Sequence, residues 1–232
     1  MPSVETYKSE TDLPVQLPIF PLPGAVLLPG GDLPLNIFEP RYLQMLADSL
    51  ASHRLIGMIQ PRHMESEQDL PHSSAAAPLE LYNVGCAGRI TSFHESGDGP
   101  IQIVLSGICR FHVLQEIGGA KPYRSVEADY SAFATDLTEE FLNESDTERQ
   151  DLLNSLDQFL KARSMRADWN EIVSAPTPTL INTLVMIGSF SPREKQAVLE
   201  AADLRERTRT LVALTRMSIE QPFGSNGNGS VQ

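Results

Sequence analysis

The sequence predicts an α+β fold in which a small barrel of short β-strands, with one helix inserted, precedes a bundle of α-helices. Up to about residue 132, apolar residues alternate with polar ones or form short apolar runs, as they do in strands. Beyond Asp136 the apolar positions recur at helical spacing, and Ser, Thr or Asp residues of the kind that begin helices stand before them. This change of period places a boundary near residue 133.

The opening of the barrel is predicted from residues 17–42, LPIFPLPGAVLLPGGDLPLNIFEPRY. Proline cannot donate a ladder hydrogen bond, so this stretch is not one continuous central strand. We expect short, kinked strands that wrap a barrel. Pro40 suits the first turn of a helix, and the apolar positions that follow it keep helical spacing. The strand prolines are Pro18, Pro21, Pro23, Pro29 and Pro34, and the helical positions are Leu43, Leu46 and Leu50.

Further strands are expected up to residue 132. Two glycines in residues 82–94 indicate a bent barrel strand, and Gly107 is expected to break the next one into two runs. A polar stretch rich in small residues, 61–78, reads as a long mobile loop. The predicted strands are residues 55–59, 82–94, 101–105, 109–113 and 123–132.

The helical half is predicted mainly from capping residues, because a Ser, Thr or Asp side chain can accept a hydrogen bond from the free amides of a first turn. Gly188 stands where a helix is expected to stop. The expected starts are the overlapping capping boxes 145–148 and 147–150, Asp168, Thr177 with Pro178, the capping box Ser191–Glu194, and Asp203.

We therefore expect four parts: a flexible N-terminus (1–13), the barrel domain (14–133), the helical bundle domain (134–220) and a disordered tail (221–232). The composition, 41% hydrophobic and 21% charged residues, is that of an ordinary globular protein. A net charge of −12 argues against nucleic acid as a partner. The polar N-terminus has no apolar signal core and no run is long enough to span a bilayer, so a cytoplasmic protein is expected.

Four segments resemble a known family. Residues 17–42, with the junction IFEPRY, the strand LYNVGCAGRI (81–90), the hairpin VLSGICRF (104–111) and SPREKQAVLEAADLRER (191–207) are similar, in order, to the Lon protease N-terminal substrate-binding domain and its stand-alone bacterial relatives. The resemblance implies a PUA-like pseudo-barrel joined to a helical bundle. It also implies recognition of unfolded or flexible polypeptides, or of a protein partner, in protein quality control.

The sequence does not predict an enzyme. It has neither the P-loop GxxxxGK[ST], which an ATPase uses to hold phosphates, nor a Ser–Lys dyad for proteolysis. The resemblance therefore implies that the chain recognises polypeptides without hydrolysing them, as a quality-control adaptor would. No catalytic, cofactor-binding or metal-binding residue is predicted, no cofactor is expected, and the binding face is unknown. The alternative is a small-molecule binder or an enzyme that uses a cleft between barrel and bundle.

Several side chains admit two interpretations. Cys86 and Cys109 are expected to be buried thiols rather than a disulfide. A thiolate–imidazole pair of Cys109 and His112 is conceivable, but positions three apart on a strand face opposite sides. The other histidines (His53, His63, His72, His94) show no metal-ligand spacing.

The charged residues near the barrel strands also admit two interpretations. Glu39 and Arg41 form either a ligand-facing rim or a local pair at a helix N-terminus, and the second is favoured. Arg89 and Arg110 are expected to be structural arginines at barrel ends. The apolar residues of the proline-rich segment form either core or an open peptide groove, and core is favoured; they are Phe20, Leu22, Leu27 and Leu28.

Overall fold

The structure, a computed structural model, describes residues 7–63, 79–95, 97, 99–138 and 146–220. Most of the predicted loop 61–78, the first six residues of the predicted flexible N-terminus and the whole predicted tail 221–232 lie outside these ranges. The described elements are β1 (Gln16–Pro21), β2 (Asp32–Ile37), α1 (Pro40–Leu50), β3 (Leu55–Ile59), β4 (Val84–Glu95), β5 (Ile101–Ile117), β6 (Ser125–Asp129), α2 (Asp146–Ala162), α3 (Trp169–Ser174), α4 (Thr177–Ile187), α5 (Pro192–Glu200) and α6 (Leu204–Glu220).

The six strands form one mixed sheet in the order β2-β5-β4-β3-β1-β6, and β6 pairs back onto β5. Five strands therefore close into a barrel-like ring, while β2 lies outside it on the first half of β5. β1 and β3 run parallel, and the other pairs are antiparallel. The ring with its one inserted helix, α1, followed by helices, confirms the predicted α+β fold class.

One strand is longer than the sequence indicated. β5 has 17 residues and continues through Gly107, so the expected break into two strands is wrong, although the register with β4 shifts between Gly107 and Cys109. The glycine is needed for close approach instead: a Cβ at Gly107 would lie 2.1 Å from the carbonyl oxygen of Leu28. The Gly107 amide donates to Gly31 at 2.8 Å, and its carbonyl accepts from Gly30 at 3.0 Å. The proline-rich segment thus crosses directly over β5.

The predicted helix starts are mostly confirmed. Ser191 and Glu194 form the reciprocal capping box of α5, with the Ser191 amide donating to the Glu194 carboxylate at 2.7 Å. Asp168 and Asp203 accept amide hydrogen bonds at the starts of α3 and α6. Gly188 follows α4 as its C-cap, and α1 begins at Pro40.

Two start predictions need correction. Thr177 is the first residue of α4 rather than its cap, because Pro176 takes the cap position. The Thr177 hydroxyl accepts a hydrogen bond from the Arg149 guanidinium at 2.6 Å instead. Of the two overlapping boxes, Ser145 lies outside the described residues and Thr147 lies inside α2.

Polar contacts join α5 to the barrel. The Gln60 amide donates to Gln196 Oε1 at 3.0 Å and to the Pro192 carbonyl at 2.9 Å. Gln196 in turn donates to the carbonyl of Val84 on β4 at 3.0 Å. Both glutamines are buried, and an unpaired buried amide is costly, so these bonds fix the position of α5 on the barrel.

Gly107→Ala is expected to lower the free energy of unfolding by about 1–3 kcal/mol, since the added methyl group meets the Leu28 backbone. Gly119→Ala is the matched control, because a Cβ there meets nothing within 4 Å. Urea unfolding followed by circular dichroism measures both. Equal stability of the two variants would contradict this account of Gly107.

Candidate functional site

A cavity of about 630 Å³ opens between the C-terminal end of α1, the start of β1 and the connection from β5 to β6. We call it the α1 cavity. Every lining residue lies in the strand-rich half of the chain, so the cavity is not a cleft between barrel and bundle. Its lining is Gln16, Pro18, Asp48, Ser49, Ser52, His53, Ile117, Gly118, Gly119, Ala120, Lys121, Tyr123 and Ser125.

A hydrogen-bonded cluster lies on the wall of the α1 cavity. The Tyr123 hydroxyl donates to Asp48 Oδ2 at 2.5 Å, and Gln44 donates to the other carboxylate oxygen at 2.8 Å. The Lys121 ammonium lies 3.1 Å from Asp48 and donates to the Tyr123 oxygen at 2.8 Å. The hydrogen bond from Tyr123, then those from Gln44 and Lys121, lower the pKa of Asp48 to about 2. Asp48 is therefore a carboxylate at neutral pH.

Two further polar side chains, His53 and Ser49, also line the α1 cavity. His53 Nδ1 accepts the Leu55 amide at 3.0 Å, and burial lowers the pKa of His53, so the neutral ring keeps its proton on Nε2. Ser49 is only 1% exposed, and its hydroxyl has no hydrogen-bond partner among the described residues. The cavity thus offers a mixed set of donors and acceptors to a small polar ligand.

A buried ion pair, Arg110 with Asp136, lies where the barrel meets the helices. The Arg110 guanidinium donates through Nε to Asp136 Oδ2 at 2.8 Å and through Nη2 to Oδ1 at 2.9 Å. Its remaining donors reach the carbonyls of Leu199, Ala201 and Ala202 at the C-terminal end of α5. A cation there stabilises the free carbonyls of a helix end. Arg110 is thus structural, as the sequence indicated.

Arg207 is buried next to this ion pair and is only 1% exposed. Burial first, and then the charge of Arg110, lower the pKa of Arg207 to about 10. It is still a cation at neutral pH. Two arginines and the Asp136 carboxylate therefore form a charged centre inside the protein.

The cysteines are not nucleophiles. Cys86 and Cys109 are free and buried, and burial raises the pKa of both thiols far above neutrality. The Cys109 thiol donates to the Phe133 carbonyl at 3.4 Å, whereas His112 Nδ1 lies 3.3 Å from the Asn83 amide nitrogen. The structure gives Cys109 and His112 separate hydrogen-bond partners.

The other histidines are not brought together. His63 lies 3.6 Å from Glu80, His94 is exposed on β4, and His72 falls outside the described residues. Within the described ranges no group of three His, Cys, Asp or Glu side chains is arranged to hold a metal ion.

Glu39, Arg41 and Arg89 make local contacts. Arg41 Nε donates to Glu39 Oε2 at 2.9 Å, and its guanidinium lies 4.6 Å from the centre of the Tyr42 ring. Arg89 is largely buried and donates to the Tyr7 hydroxyl at 2.7 Å. The local contacts of the Glu39–Arg41 pair and of Arg89 are those expected of structural residues.

The proline-rich segment is core rather than an open groove. Phe20, Leu27 and Leu28 are buried, and Leu22 is half-buried. Phe20 also packs on Tyr42 of α1, with ring centres 4.3 Å apart. The favoured prediction, core rather than groove, is therefore confirmed for this segment.

An open strand edge lies elsewhere, on β4. β3 pairs with β4 only as far as Leu55 opposite Arg89, and the next contact is the Ile90 amide with the Arg54 carbonyl. From there to its end, β4 pairs only with β5 among the described residues. We call Thr91–Glu95 the β4 edge; all five of its side chains are exposed.

The family model of the ATP-dependent protease La (LON) substrate-binding domain matches residues 16–216. The chain belongs to this family. That match covers both the ring of strands and the helices after it.

Lon proteases are among its relatives. It is 27% identical to Lon protease 2 of Myxococcus xanthus over 213 residues, 89% of this chain but 24% of that protein. It is also 27% identical to the Lon protease of Flavobacterium johnsoniae over 228 residues, 94% of this chain and 26% of that protein. The chain thus spans about a quarter of the length of these relatives.

Two solved structures share the fold. The Lon N-terminal domain protein of Xanthomonas campestris superposes with a TM-score of 0.59 at 21% identity, covering 85% of this chain and 97% of that one. The N-terminal domain of Mycobacterium avium complex Lon protease gives 0.61 at 18% identity, with 87% and 98% covered. None of the helices that the structure describes has the length and apolar character of a membrane span.

Asp136→Ala is expected to lower the free energy of unfolding by about 3–5 kcal/mol, because it leaves the buried Arg110 guanidinium without its carboxylate. Combining Asp136→Leu with Arg110→Met removes both charges and is expected to recover part of that loss. Urea unfolding measures the three proteins. A loss below 1 kcal/mol in the single variant would contradict the importance of the pair.

Asp48→Asn is expected to reduce the fall in thermal stability that occurs as the pH drops below about 4. Because the pKa of Asp48 falls from 3.8 to about 2 on folding, its ionised form stabilises the fold above roughly pH 4, and this contribution is lost as the pH falls towards 2. Thermal unfolding from pH 2 to 6 compares the variant with the wild type. The difference in Tm is expected to be constant above pH 5 and to shrink below pH 4; a constant difference throughout would contradict the assignment.

Proposed function

We propose that this chain is a non-catalytic module that recognises unfolded or flexible polypeptide and acts as an adaptor in protein quality control. The observation that carries the proposal is the match of the LON substrate-binding domain over residues 16–216, strand ring and helices together. The relatives named as Lon proteases are about four times longer than the matched region. Recognition is the property that the matched part would share with them.

The chemistry of the described residues supports recognition rather than catalysis. The thiols of Cys86 and Cys109 are protonated and buried in the core. Arg110 is bound by Asp136 and the end of α5. The guanidinium donors of Arg110 are all used in these hydrogen bonds, so none is left to bind a reacting group.

Charge and cysteine state support the kind of partner and its location. The net charge of −12 disfavours nucleic acid and favours polypeptides that carry positive charge. Two free thiols in the core suit a reducing compartment, so the proposed place of action is the cytoplasm. We also propose that the barrel (14–133) and the helical bundle (134–220) are the two domains of the module, joined by the Arg110–Asp136 pair.

A second candidate function is the binding of a small polar molecule in the α1 cavity. The buried Ser49 hydroxyl favours it, since it has no hydrogen-bond partner among the described residues and such groups are usually hydrogen-bonded. Ligand-observed NMR with a library of small polar fragments tests this candidate on the wild type and on Ser49→Ala. Fragments that bind the wild type and not the variant would support it; a library without any binder would end it.

Polypeptide recognition is tested by fluorescence anisotropy. A labelled, permanently unfolded protein is titrated with this chain, and the same protein in its folded form is the control. Binding to the unfolded form alone is the expected result. Binding to neither form would contradict the proposal and move attention to a dedicated folded partner or a small ligand.

A further inference from the structure

We propose that the β4 edge, Thr91–Glu95, binds an extended segment of the partner polypeptide as an added β-strand, and that the segment carries apolar and positively charged residues. This inference rests on the proposed function and names the surface and the mode of binding. Strand addition uses backbone hydrogen bonds, which every unfolded polypeptide can make. It therefore suits a module that accepts many sequences.

The first argument is the pairing of β4. One side of residues 92–95 is paired with β5, in the register Ser92 with Val104 through Glu95 with Ile101, and the register shifts at Thr91, between Ile90 and Ser92. On the other side β3 has already ended, and no other described residue pairs there. Five residues of strand extend roughly 17 Å, long enough for several inter-strand hydrogen bonds.

The second argument is the contrast with β2, which pairs with β5 alone among the described strands. β2 carries Pro34 in its middle, opposite Val104 of β5. Proline removes a backbone donor, and this is one way in which proteins protect an edge from further pairing. Residues 91–95 contain no proline, so each of them has a backbone N–H, and those that point away from β5 can donate to an added strand.

The third argument is the side chains around the edge. Phe93 is 45% exposed on β4 and stands opposite the buried Ile103 of β5. An added strand would cover the exposed part of this ring with an apolar side chain of its own. Cross-strand aromatic–aliphatic pairs of this kind stabilise sheets.

The fourth argument is charge. No lysine or arginine occurs between residues 90 and 109 or between residues 26 and 40, the segments that form this part of the sheet. Glu95 is exposed at the end of the edge, and Asp32 lies on β2. Positively charged residues in the added strand would complement this surface, and a strongly acidic segment would be repelled.

The experiment uses three labelled 12-residue peptides and the full chain. The first alternates valine and lysine, the second is the same peptide N-methylated at its four central residues, and the third alternates valine and glutamate. Anisotropy gives the affinities, and hydrogen exchange with and without peptide locates the protected amides. Phe93→Ala is compared with Leu114→Ala, an equally apolar side chain that is 60% exposed on the half of β5 away from the edge.

Strand addition predicts at least tenfold weaker binding of the N-methylated and the glutamate peptides, and slowed exchange at Thr91–Glu95. Phe93→Ala is expected to weaken binding several-fold and Leu114→Ala to leave it unchanged. Equal binding of the methylated peptide, or protection elsewhere, would overturn the β4 edge while binding of the unfolded protein still supported polypeptide recognition. A dimer with Thr91–Glu95 protected before peptide is added would make a second copy the occupant and also overturn the inference.

Discussion

The buried guanidinium of Arg110 is the interaction on which the arrangement of the two halves depends. It belongs to the longest strand of the ring, yet it binds the Asp136 carboxylate and three carbonyls around the end of α5. A buried cation is tolerated only when each of its donors finds a partner, so the strand, the segment after the last strand and the helix must keep one relative position. The hydrogen bonds of Gln60, directly after β3, and of Gln196 on α5 also hold the helices in place on the barrel.

Because the barrel and the helices are held in one relative position, contacts with a binding partner are left to other surfaces. Where barrel and helices meet, polar groups are bonded to one another and apolar residues are packed. The α1 cavity and the β4 edge lie away from that joint, and both are formed by barrel residues. A scaffold that is rigid at its centre and open at one strand edge can bind extended chains without ordering itself first, which lowers the entropic cost of binding.

Local signals in the sequence predicted much of the fold, and long-range contacts account for what it missed. Capping at Ser191 and Asp168 depends on neighbours within three residues, so these helix starts were predictable. Gly107 looked like a strand break, because nothing in its own neighbourhood reveals that the Leu28 backbone crosses it. The candidate sites were beyond reach for the same reason: Asp48 meets Tyr123 across 75 residues, and the β4 edge exists only because β3 ends before β4 does.

The most direct test of the central claim, recognition of unfolded polypeptide by the barrel, is an NMR titration that follows each backbone amide while an unfolded protein is added. The account predicts that shifts concentrate at Thr91–Glu95 and the facing residues of β5, with the amides around Arg110 unchanged. Shifts confined to the lining of the α1 cavity, or none at saturating concentrations, would contradict it.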